Sequence, residues 1–121
     1  MDEELSVTVR HEQAVAIAEV AGDIDLTTVG ELRERLYTLA DESQSLIVDL
    51  NRVTFIDSAG LGVLIGTARR VEGHGGSLHA VCSQPQPRKL LWMTGVDRRI
   101  PLSATVDDAL TLQTANHDPA E

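Results

Sequence analysis

The 121 residues suffice for one domain with a single hydrophobic core, and fractions of 42% apolar and 24% charged residues belong to an ordinary globular chain rather than a disordered one. The net charge of −9, ten Lys and Arg against nineteen Asp and Glu, repels phosphate backbones and acidic lipids. Phe55, Tyr37 and Trp92 are the only aromatics, too few to stack bases, so no nucleic-acid partner is expected; a protein partner with some positive surface fits better.

The opening "MDEELSVTVRHE" lacks the basic and apolar regions of a signal peptide. The longest apolar run, "AVAIA" at 14–18, falls far short of the roughly 18 residues of a membrane span. A cytoplasmic protein without membrane association is the expectation. The lone Cys82, inside "LHAVC", cannot pair internally and reads as a small buried hydrophobe. His11, His74, His79 and His117 have no second ligand at metal-binding spacing, so neither a metal nor a cofactor is expected.

In chain order, "LSVTVR" (5–10) and "AVAIAEV" (14–20) read as strands joined by a short polar turn. "AGDIDLT" leads to a helix over 29–41 with Val29, Leu32, Leu36 and Leu39 on one face, and Thr28 with Glu31 has capping-box spacing. "SLIVDL" (45–50) has the unbroken apolarity of a central strand. The next helix, 59–72, should bury Leu61, Leu64, Ile65 and Ala68 and stop at "GHGG", where glycine accepts a left-handed turn. A strand at 77–82 follows, then a short helix at 87–95 with Gly95 beyond its end; Trp92 reads as core, with an exposed partner contact as the alternative. "RRIPL" suggests an edge strand that tolerates Pro101, and a last helix follows Thr105, with Asp108 repeating the capping spacing. The tail, 116–121, is expected to fray. Strands alternating with helices after a hairpin imply one α/β domain, its core at about 5–115: a mixed sheet of about four to five strands packed with about four helices, in a monomer.

The segment "VTFIDSAGLGVLIG" (53–66) holds the chemistry. A dinucleotide fingerprint needs its third glycine at 65, which is Ile65, with Gly66 one residue late; no carboxylate ends the next strand. A catalytic Ser58 needs a base. His74 lies at the far end of the same helix, about 20 Å away at 1.5 Å per residue, and His79 sits on another strand. The nucleophile-elbow pattern fails because residue 56 is Ile. The plain alternative is that Ser58 caps the helix, with Asp57 beside it favouring the helix dipole. Gly60, Gly62 and Gly66 each cost helix propensity, about 1 kcal/mol, so a close approach by another element or a partner is implied.

"GDIDLTT", "VDLNRVTFIDSAGLGVLIG", "GGSLHAVC" and "PRKLLWMTGVDRRIPL" together resemble the STAS domain of bacterial anti-sigma factor antagonists over about residues 5–115. The resemblance implies that Ser58 is phosphorylated by a partner anti-sigma factor with ATP-dependent serine kinase activity. The unphosphorylated form would bind that factor and release the sigma factor, and a metal-dependent serine phosphatase would restore the serine. Many relatives carry a second serine where this chain has Ala59, leaving one acceptor in the motif. The implied partner surface comprises Asp25, Thr27, Asp57, Ser58, Ala59, Gly60, Leu61 and Gly62. Asp25 would lie beside the acceptor, though on spacing alone it reads equally as an Asx-turn residue. No catalysis by the chain itself is implied, and a non-switching scaffold or an accessory subunit of a signalling or transport complex has the same fold.

Overall fold

The computed structural model describes residues 4–116. Within them the chain runs β1 (Ser6–Glu12), β2 (Val15–Ala21), α1 (Val29–Glu42), β3 (Ser45–Arg52), α2 (Ser58–Glu72), β4 (Ser77–Val81), α3 (Pro85–Thr94), α4 (Val96–Arg99), β5 (Leu102–Ser103) and α5 (Val106–Asn116). The sheet order is β1-β2-β3-β4-β5, antiparallel at the first pair and parallel at the others.

β3 lies at the centre, and its first six residues are all buried because helices cover both faces. Leu46, Val48 and Leu50 point to one side and pack with Leu32 and Leu36 of α1 and Leu61, Leu64 and Ala68 of α2. Ile47 points to the other, into a smaller cluster with Val15, Ile17, Val81 and Ala109 and Leu110 of α5. Leu39 and Ile65, expected inside, are only half-buried at the margin. Gln113 pins α5 down: its fully buried amide donates to the carbonyls of Leu46 (3.0 Å) and Ser77 (3.4 Å) and accepts the Ser77 hydroxyl (2.8 Å). Those partners begin β3 and β4, so the opposite, carboxyl ends of the strands are left open. Cys82 is buried, and burial pushes its thiol pKa up.

Several local expectations change. Arg98 and Arg99 belong to the one-turn α4 rather than an edge strand; β5 is two residues, and the Pro101 carbonyl accepts the Ala80 amide (2.9 Å). Gly73 ends α2 in a right-handed conformation, and Gly75 (φ +88°) takes the left-handed turn. The expected capping box of α1 does not form, because the Thr28 hydroxyl donates backward to the Asp23 carbonyl (2.9 Å). The Thr105 cap does form, its hydroxyl accepting the Asp108 amide (3.1 Å). Trp92 is not core: it is 66% exposed, since α3 buries Pro87 and Leu91 instead. The frayed tail lies outside the described residues apart from Asn116, which ends α5.

The β1–β2 turn stores strain. Gln13 (φ +53°) and Ala14 (φ +65°) are both left-handed without being glycine, as a two-residue hairpin turn demands. Replacing them with the Asn-Gly pair that this turn favours is expected to raise stability by about 1 kcal/mol, read as a higher urea midpoint. An unchanged midpoint would mean that the turn is not strained.

Candidate functional site

The open carboxyl ends of the parallel strands are where such sheets present binding surfaces. Here the segment after β3 is held on both sides. The Ile24 amide donates to the Phe55 carbonyl (2.9 Å), and the Asp57 amide donates to the Ile24 carbonyl (3.2 Å). This parallel bridge between Ile24 and Ile56 sets the β2–α1 loop against the start of α2. On the other side the Gln86 side chain imitates a strand: its Oε1 accepts the Ile56 amide and its Nε2 donates to the Ile56 carbonyl, both at 3.0 Å.

The end of this clamped segment starts the helix. Asp57 is extended, and its Oδ1 accepts the amides of Ala59 (3.0 Å) and Gly60 (3.3 Å). Asp57 is therefore the N-cap, the role expected of Ser58, and Ser58 is the first residue of α2. The shift of one position frees the serine. Its side chain is exposed, and it makes no hydrogen bond to another described residue.

The β2–α1 loop delivers the second carboxylate. Asp25 Oδ1 accepts the Thr27 hydroxyl (2.7 Å) and the amides of Thr27 (2.9 Å) and Thr28 (3.2 Å), the Asx-turn arrangement. The Thr27 hydroxyl and amide, then the Thr28 amide, hold the Asp25 carboxyl below its ordinary pKa, so it is an anion at neutral pH. Asp23 Oδ1 accepts the Thr54 hydroxyl (3.0 Å), which ties the same loop to the segment after β3.

Of the residues singled out in the sequence, Asp25, Thr27, Asp57, Ser58 and Ala59 thus meet at one edge. Gly60 and Leu61 face inward instead. A Cβ on Gly60 would lie 2.6 Å from the side chains of both Ile24 and Ile56, so it is another element of the same chain that needs its bare backbone. A Cβ on Gly62 would meet nothing within 4 Å, so that position opens outward. Gly66 makes room for the Tyr37 ring. Leu26 (79% exposed) and Phe55 (41%) flank the edge and were not anticipated. Nor was Gln86, for nothing in a short window pairs it with a backbone thirty residues away.

Neither His74 nor His79 reaches Ser58. His74 Nε2 lies 2.7 Å from the Ala40 carbonyl at the far end of α2. His79 is buried in β4 beside Ile47, on the α5 side of the sheet, whereas α2 covers the other. What remains is a displayed hydroxyl at a helix start, beside fixed carboxylates.

Comparison with known proteins places the chain. The family model of the STAS domain matches residues 6–109, and the chain belongs to that family, as the motif resemblance implied. It is 32% identical over 108 residues to the anti-sigma-F factor antagonist RsfB of Mycobacterium tuberculosis, with 88% of each chain covered. It is 34% identical over 100 residues to the anti-sigma-B factor antagonist of Bacillus subtilis, covering 83% of this chain and 92% of the relative. The crystal structure of an anti-sigma factor antagonist from Mycobacterium paratuberculosis has a TM-score of 0.85 at 31% identity, covering 92% of this chain and 95% of that one. Among the described residues no helix is long and apolar enough to cross a membrane.

The two glycines of the first turn predict opposite outcomes. Gly60→Ala should destabilise by about 1–3 kcal/mol through overpacking against Ile24 and Ile56. Gly62→Ala should stabilise by up to about 1 kcal/mol through helix propensity. Urea denaturation of both variants checks this, and shifts of the same sign would contradict the packing.

Proposed function

We propose that this chain is an anti-sigma factor antagonist that works by partner switching, with Ser58 as its phosphoacceptor. One observation carries the reading: Asp57 takes the cap, so the Ser58 hydroxyl stands exposed and unengaged at the first position of α2. The named antagonists among its relatives support it. The unphosphorylated chain binds an anti-sigma factor that is also a serine kinase, and so releases the sigma factor. The contact surface is the edge formed by Asp25, Thr27, Asp57, Ala59 and Gly62 with the apolar Leu26 and Phe55. Gly60 and Leu61 act from beneath, by setting its shape.

In the switch, Ser58 Oγ attacks the γ-phosphorus of ATP held by the partner. The bond from that phosphorus to the β,γ-bridging oxygen breaks, ADP leaves, and the hydroxyl proton passes to a base on the kinase. The chain's own contribution is to fix the backbone that leads into Ser58, through the Ile24 and Gln86 clamps on residues 55–57. The product carries about −1.5 to −2 charges directly opposite the diphosphate from which it came. Two like charges about 5 Å apart at an effective dielectric near 20 repel by roughly 3 kcal/mol, more than a hundredfold in affinity. The free protein keeps its fold, because a helix N-terminus accepts an anion. A serine phosphatase then resets the hydroxyl. The protein works in the cytoplasm, as a monomer, without catalysis of its own.

Incubation with the cognate kinase and ATP should place one phosphate on Ser58, located by mass spectrometry, and none on Ser58→Ala. Ser58→Ala should bind the anti-sigma factor constitutively, whereas Ser58→Asp should bind at least about tenfold more weakly by titration calorimetry while its stability stays within about 1 kcal/mol. Equal affinities of the two variants would overturn the mechanism.

A further inference from the structure

Charge is distributed unevenly over this chain. Residues 73–105 hold four of the ten basic residues, Arg88, Lys89, Arg98 and Arg99, but only one of the nineteen acidic ones, Asp97. Asp97 turns inward, its Oδ1 buried and its side chain lining a small cavity with Leu64, Leu91 and Ile100. Arg99 is taken up by Glu72 through two bonds of 2.8 Å. Arg88, Lys89 and Arg98 are exposed, and none of the three has an ion-pair partner among the described residues; Arg88 Nη1 donates to the Cys82 carbonyl (2.9 Å), which leaves its charge uncompensated. A strongly acidic protein thus presents one cationic face, on α3 and α4.

The same face carries exposed apolar bulk. Trp92 is 66% and Met93 63% exposed. Arg88 and Lys89 stand one helical turn before them, at the spacing that makes side chains neighbours. The Trp92 carbonyl accepts the Gly95 amide (3.2 Å), and the Arg98 side chain lies over Gly95, so this cation flanks the same turn. An exposed indole and thioether framed by cations has the composition of an interface centre, where Trp, Met and Arg are enriched.

We propose that the α3–α4 face docks an acidic segment of another protein, whose large apolar side chain covers Trp92 and Met93 while its carboxylates meet Arg88, Lys89 and Arg98. A symmetric pair of copies would set these cations against one another, which argues against self-association here. Nucleic acid and anionic membranes share the acidic chemistry but are repelled by the rest of a chain with a net charge of −9. The Ser58 edge, with its carboxylates, asks for the opposite sign, so the two surfaces make different demands on a partner.

The probe is a phage-displayed library of random dodecapeptides panned on the intact protein. Selected peptides should carry Asp and Glu around a Leu, Phe or Trp. A synthetic tryptophan-free copy should shift the emission of Trp92, the sole tryptophan, to shorter wavelength. Its affinity, from the anisotropy of a labelled peptide, should fall at least about tenfold in Trp92→Ser and in the double variant Lys89→Glu/Arg98→Glu, and should weaken with salt. Matching thermal melts establish that these exposed substitutions leave the fold intact. Ser58→Asp should bind the peptide as the parent does, which keeps this test separate from that of the phosphoacceptor. The proposal is overturned by basic or absent consensus peptides, by affinity indifferent to those variants, or by loss of binding in Ser58→Asp. Preferential binding of phosphatidylserine vesicles, or self-association abolished by Trp92→Ser in sedimentation, would overturn it equally.

Discussion

Everything at the candidate site depends on the short parallel bridge between Ile24 and Ile56. Two backbone hydrogen bonds, at 2.9 and 3.2 Å, bring together segments that follow different strands. The bridge lies beyond the regular sheet, so it needs packing to persist, and the bare backbone of Gly60 supplies the room for both isoleucine side chains. Gln86 completes the clamp by satisfying both polar groups of Ile56, which would otherwise stand unpaired in a half-buried place. Together with the Asp23–Thr54 bond these contacts set the start of α2 relative to Asp25.

That constraint explains how a serine can be both precisely held and chemically free. A hydroxyl used as a cap is committed to a backbone amide, and modifying it would cost the helix its cap. With the carboxylate of Asp57 in that role, the neighbouring hydroxyl can gain or lose a phosphate while the helix keeps its terminus. Rigidity comes from backbone hydrogen bonds and apolar packing, and the proposed switch would be confined to a side chain that takes part in neither. Charge is divided along the chain as well: Asp25 and Asp57 meet beside Ser58, whereas Arg88, Lys89 and Arg98 lie on α3 and α4.

Much of the architecture was legible because burial imposes its period on composition. Val29, Leu32 and Leu36 marked α1, and the apolar run 45–50 marked the strand with helices on both faces. The errors share one cause. The Thr28–Glu31 spacing satisfied a local rule, but Asp23 and Asp25 engaged that threonine and its neighbours first. Trp92 looked like core by residue type, but which side of α3 faces inward was decided by Pro87 and Leu91 against the rest of the fold. Ser58 and Asp57 are both good caps, and only the extended backbone at Asp57 chose between them.

By itself the sequence determined the α/β class, the order of the elements apart from the one-turn α4, and the stretch on which the proposed chemistry falls, because these follow from periodicity, glycine placement and charge, each readable in a window of a few residues. The tertiary structure alone decided which oxygen caps α2, that Gly60 serves the interior while Gly62 faces out, and that Gln86 reaches Ile56. Those outcomes depend on contacts between segments thirty or more residues apart, where close packing and hydrogen-bond satisfaction, rather than local preference, select the arrangement.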